Sequence, residues 1–171
     1  TDGGTSWAAF SPTDASSPVA ITGLTNGTTY AIGLRAVNAA GSGTAAAIVS
    51  SIAADTPSAP TALSATAGDA QVSVAFTPPS NNGGATITNY EYSTDGGTSW
   101  AVFNPTNASS PAVITGLTNG TTYALGLRAV NAAGSGTASA NVISTPLAIP
   151  SAPTSLIVTA GDAQVSVAFT P

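Results

Sequence analysis

The chain has 171 residues, 43% of them hydrophobic and 5% charged, and seven acids against two arginines give a formal net charge of −5. With Arg35 and Arg128 as its cations it lacks the basic stripe that phosphate backbones or anionic membranes require, and without His or Cys it has no imidazole base, thiolate nucleophile or zinc ligand set. No apolar run approaches the ~20 residues of a membrane-crossing helix, while the length suffices for one or two domains with a core.

Read from the first residue, TDGGTSW at Thr1–Trp7 returns at Thr94–Trp100, an offset of 93 positions. The same offset carries Ile21–Tyr30 onto Ile114–Tyr123, Arg35–Ala45 onto Arg128–Ala138 and Gly68–Pro78 onto Gly161–Pro171, with 61 of the 78 overlapping positions identical. A period of this length is too long for a solenoid turn and suits a small domain repeated whole. Pro57-Ser58-Ala59-Pro60 and Pro150-Ser151-Ala152-Pro153 read as proline-stiffened linkers. The expected division is residues 1–55 as the later strands of one module, 56–149 as a complete module, and 150–171 as the first two strands of the next.

Within the complete repeat the apolar period is two. Strands are expected over 61–67 and over 71–76, where Val72, Val74 and Phe76 alternate with Gln71, Ser73 and Ala75. Pro78 and Pro79 end the second. The loop Asn81-Asn82-Gly83-Gly84 leads to a strand over 87–94, and Asp95-Gly96-Gly97 supplies the positive φ of a hairpin turn before a short strand over 100–103. Strands over 112–115, 122–131 and 137–144 follow, with Asn119-Gly120 as a turn. The pattern on 122–131 puts Tyr123, Leu125, Leu127, Ala129 and Asn131 on one face. It leaves Ala124, Gly126 and Val130 on the other, as an outward strip with little charge to repel a neighbouring chain. Seven short strands in about 90 residues imply an all-β, two-sheet sandwich.

These residues resemble a known family, the fibronectin type III domain in its bacterial style. The resemblance rests on P-S-A-P-T at the module start, V-S-V-A-F-T-P-P, N-Y-E-Y-S-T-D-G-G, I-T-G-L-T-N-G-T-T-Y and R-A-V-N-A-A-G-S-G, and it covers the whole chain. It implies an immunoglobulin-like, seven-stranded fold in tandem. It also implies a tyrosine corner at Leu117 and Tyr123, repeated at Leu24 and Tyr30, in which the phenol bonds back to the chain. Phe76 stands where many members carry tryptophan. The Arg-Gly-Asp tripeptide of some animal members is absent from the loop Asn131–Gly136, so integrin binding is not carried over.

Other candidate sites yield to simpler readings. The glycine-rich stretches open no helix, so they are turns rather than phosphate cradles. Asp69, Glu91 and Asp95 lie in different elements, and a calcium site at Asp55 is not repeated, because Ala148 takes the matching position. Trp100, Tyr90 and Tyr92 could form a sugar platform, yet the two tyrosines share the inward face and serve the core. The sequons at Asn26, Asn107 and Asn119 include two Asn-Gly pairs that turn chemistry explains. Glu91 and Arg128 are expected to pair across strands on the outer face. No catalytic residue, cofactor or metal is expected.

The function expected is that of a structural or adhesive extracellular or cell-surface protein, a fibre, stalk or filament, and not an enzyme. The alternative is a set of spacer modules in a secreted polysaccharide-degrading or carbohydrate-binding enzyme. The partners expected are neighbouring repeats of the same chain and identical chains in a filament, with any glycan or protein ligand left open; nucleic acid is not among them.

Overall fold

The computed structural model describes residues 1–10 and 14–171, and every element in them is a strand or a turn. In chain order these are β1 (Thr29–Ile32), β2 (Val37–Asn38), β3 (Gly41–Ser42), β4 (Val49–Ile52), β5 (Thr61–Gly68), β6 (Gln71–Thr77) and β7 (Asn89–Ser93). Then come β8 (Ala101–Val102), β9 (Ala112–Thr115), β10 (Tyr123–Asn131), β11 (Gly134–Ser135), β12 (Val142–Ser144), β13 (Thr154–Gly161) and β14 (Gln164–Thr170).

Strands β5 to β12 make the sandwich. One sheet runs β5-β6-β9 and the other β11-β10-β7-β8, with β12 also on β10, and every pairing in both is antiparallel. The alternation along β6 buries Val72, Val74 and Phe76, and that along β10 buries Leu125, Leu127 and Ala129. Ala112 and Ile114 of β9, Tyr90 of β7, Phe103 and Leu117 close the same cluster. Tyr90 meets Phe76 edge to face at 4.7 Å, and Tyr92 meets Phe103 at the same separation, geometries that aromatic quadrupoles favour. Burial pushes the Tyr90 phenol above its ordinary 10.0.

Several strands are shorter than their sequence patterns, and side chains explain the difference. Of the stretch expected as one strand over 137–144 only Val142–Ser144 forms one, and β11 lies before it, in the expected loop Asn131–Gly136. β11 pairs with the end of β10, and β12 begins only at Val142. Between them the Ser139 hydroxyl accepts the Leu127 amide at 3.0 Å, taking the place of a backbone carbonyl and breaking the ladder. Trp100 leaves the short strand β8 because its indole N–H bonds back to the Gly97 carbonyl at 3.1 Å.

The flanking segments show what the sandwich supplies. β1 pairs with β4 as β10 does with β12, and β2 with β3 as the end of β10 does with β11. Between Ile32 and Val37 the strand is interrupted, whereas in β10 the matching residues pair with β7. The Leu34 and Ala36 carbonyls still accept the Ala46 and Gly43 amides, as Leu127 and Ala129 accept Ser139 and Gly136, but among the described residues no strand pairs with the other edge of this stretch as β7 does with β10. The hairpin β13–β14 repeats the register of β5–β6 step for step. Its core-facing residues are nevertheless open: Val165 is 61% exposed and Phe169 55%, against 0% for Val72 and 7% for Phe76.

Candidate functional site

Two places on the sandwich gather polar and aromatic side chains. The first is the outer face of the β7–β10 pair. Glu91 and Arg128 are direct cross-strand partners, so their side chains leave the same side of the sheet. Arg128 Nε donates to Glu91 Oε2 at 2.5 Å, and its guanidinium lies 4.5 Å from the centre of the Trp100 ring. The indole therefore carries a cation on one face. That contact takes up one ring face, and Tyr90, buried inside, cannot extend a platform for a sugar. Arg35 sits 4.5 Å over Trp7 in the same way, while the position matching Glu91 precedes Thr1 in the repeat.

The turn beneath Trp100 is built by one carboxylate. Asp95 accepts the Ser99 hydroxyl at 2.5 Å, the Ser93 hydroxyl at 2.7 Å and the Ser99 amide at 2.9 Å. Those bonds, the Ser99 hydroxyl foremost, hold its pKa far below the usual 3.8. Ser93, itself buried, accepts the Gly97 amide at 2.8 Å. Gly97 has φ +97°, which side-chain-bearing residues rarely adopt. Asn141 donates to the Gly96 carbonyl at 3.2 Å and ties the turn to the sheet.

The outward strip on β10 differs from the expectation of an open, uncharged surface. Gly126 is buried, and a Cβ there would come within 2.7 Å of Asn141 Oδ1 and 3.5 Å of Trp100. The indole and the amide have filled the space that the missing side chain leaves. Sequence spacing singles out Trp100, Glu91 and Arg128, but it gives no sign of Asn141, which is Ile48 in the other repeat.

Tyr123 opens β10, and Tyr30 lies in β1. Tyr123 Oη accepts the Thr118 amide at 3.0 Å and Tyr30 Oη the Thr25 amide at 2.9 Å, and each bond lowers the phenol's pKa by favouring the phenolate. Leu117 is buried beside Tyr123, whereas Leu24 in the first repeat is half-buried. Asn119 fixes the adjoining turn by donating to Asp69 and accepting the Ala70 amide at 2.8 Å.

The second place is a cradle around the linker. Asn131, buried at the end of β10, donates to the carbonyls of Asp55 at 2.7 Å and Asn82 at 2.8 Å. The Asp55 amide donates to the Gly83 carbonyl at 2.8 Å, the Ser58 amide to Asn81 at 2.9 Å and the Thr137 amide to Pro57 at 3.1 Å. Pro57 and Pro60 are buried. Residues 55–60 are thus strapped onto the module that follows them. A Cβ on Gly83 would overlap the Asp55 carbonyl, and one on Gly84 would overlap the backbone of Gly27. Contacts across 76 positions of sequence leave no local signal, and only the paired glycines hint at a close approach.

The outer face stacks, pairs and caps. Glu91 is taken up by Arg128, and the carboxylate of Asp95 by the hydroxyls and amide of its own turn. The family model of the fibronectin type III domain matches residues 58–145. Among solved structures, domains A168–A170 of titin align with a TM-score of 0.49 at 21% identity, over 60% of this chain and 37% of that one. Titin kinase with its flanking domains gives 0.46 at 23%, over 54% and 18%. A human fourth fibronectin type III domain gives 0.45 at 23%, over 58% and 86%. The chain thus spans well under two thirds of either titin segment. No curated protein sequence matches. Because the family match runs from the linker cradle to the end of β12 and takes in more than half of the residues, the chain belongs to the fibronectin type III domain family.

Proposed function

We propose that this chain is part of a tandem array of fibronectin type III modules of bacterial type, acting as a fibre, stalk or adhesive filament outside the cell or on its surface. It performs no catalysis itself. The observation that carries the reading is the 93-residue offset, at which 78 positions of a 93-residue period return with 61 of them identical. Near-copies of one domain supply length and repeated surfaces, whereas an enzyme needs one site made once. The strapped linker supports the same reading, since a segment bonded along its length into the next module holds neighbours at a set distance. Electron microscopy of the native material tests it. Beaded filaments with a spacing of roughly 30–40 Å, the length of strands of about ten residues, are expected. Compact isolated particles of native chain mass near 16.3 kDa would overturn it. A catalytic domain in the full reading frame would favour spacer modules of a secreted polysaccharide-degrading enzyme.

A further inference from the structure

One contact in the structure joins two repeats. The turn Asn26-Gly27 rests against Gly84 so closely that no side chain fits between them, and the Asp55 amide bonds to Gly83 beside it. The partner loop is preformed, with the Asn81 side chain accepting the Gly83 amide and the Asn82 side chain the Gly84 amide, each at 2.9 Å.

The counterpart of that turn stands at the other end of the complete module. Gly27 and Gly120 have φ +82° and +79°. The Gly27 amide donates to Ala53 at 2.7 Å, and the Gly120 amide to Pro146 at 2.8 Å. Thr28 bonds to Thr25 and Thr121 to Thr118, both at 3.2 Å. The two turns are therefore the same object, but their surroundings differ. Pro57 and Pro60 are buried in the cradle, whereas Pro150 and Pro153 are exposed. Beside them Leu147 is 63% and Ile149 78% exposed, an apolar strip in a chain that otherwise covers its linker.

We propose that the Asn119-Gly120 turn and the strip Leu147–Pro153 form a docking surface for the cradle of another copy of this repeat, the loop 81–84 together with Asn131. The occupant is fixed by the joint already present: an identical turn, in identical geometry, is seated on that loop at the Asn26-Gly27 end. Each module then carries both halves of one joint, a turn at one end and a glycine cradle at the other. Successive modules meet with the same relative rotation. The inference rests on the tandem reading above, and it names the contact by which successive modules of that array meet.

The test compares the 171-residue chain with a version in which a further copy of residues 57–149 is inserted after Ile149. In amide NMR spectra the Gly120 signal of the longer chain is expected to move to the position of the Gly27 signal. The amides of residues 147–149 should become protected from exchange. Two changes should return Gly120 to its original position: Gly84→Ala in the inserted copy, and a four-residue Gly-Ser spacer after Ile149 that leaves every module residue in place. A Gly120 signal unmoved by the inserted module would overturn the proposal, as would one that stays moved with the spacer present, or an inserted copy that fails to fold. Failure of the fibre reading shows itself separately, in native material without beads, and leaves the Gly120 result standing.

Discussion

At Arg128 two weak forces meet on one side chain. The pair with Glu91 is partly exposed, and such a pair contributes about 0.2–1 kcal/mol. Stacking on Trp100 adds about 0.5–1 kcal/mol at an accessible site. A double-mutant cycle on Glu91→Gln and Arg128→Met is expected to give a coupling within the first range, reduced at high salt. The cycle on Trp100→Leu and Arg128→Met should give a coupling that salt barely changes. A coupling for Glu91 indifferent to salt would show that packing, not charge, joins the pair. Asp95 behaves differently, because its hydrogen bonds favour the ionised form and depress its pKa in the folded state. Its contribution is present above the unfolded value of 3.8 and is lost as pH falls below it toward the folded value. Acid titration should loosen the 95–99 turn below about pH 3.8, seen as a change in Trp100 fluorescence, and Asp95→Asn should abolish that step.

At the scale of strands, identical sequence meets unequal surroundings. β6 and β14 share the stretch QVSVAFT, yet Phe76 is 7% exposed and Phe169 55%. Phe76→Ala should lower the stability of the module by about 3–5 kcal/mol, the cost of emptying a packed aromatic site. Phe169→Ala should leave its denaturant midpoint unchanged. Equal losses at the two positions would mean that β14 also packs on a core. This contrast marks the limit of what the sequence reveals. The period-two patterns of β6, β9 and β10 were legible because a half-buried strand must alternate. So was the hairpin at Asp95-Gly96-Gly97, since glycine is the residue for positive φ. The break at Ser139 was not, because a hydroxyl that replaces a carbonyl looks in sequence like any serine. Nor was the Asn131 cradle, whose partners lie in the linker and in another loop. Of the outer face, Trp100, Glu91 and Arg128 could be read from alternation, while Asn141 and the burial of Gly126 depended on the third dimension.

Across the whole molecule, one complete sandwich stands between two segments that share its sequence without its core. Residues 57–148 expressed alone should unfold in one cooperative transition, and residues 1–55 alone should not, as followed by circular dichroism during a urea titration. A folded monomer of residues 1–55 would contradict that division. The two arginines turn the same contrast into a protease map. Trypsin must draw an extended backbone into its cleft, and the bond after Arg128 lies mid-strand in β10, paired to Glu91 and flanked by the buried Leu127 and Ala129. The bond after Arg35 lies in the gap between β1 and β2, with its side chain exposed. In a chain with no lysine these are the two bonds trypsin recognises. Brief digestion should therefore cut after Arg35 and spare Arg128, leaving one large product that starts at Ala36. Slow later cleavage at Arg128 would then clock the opening of the sandwich, so that a protease with a single hidden target reads out the lifetime of the folded module.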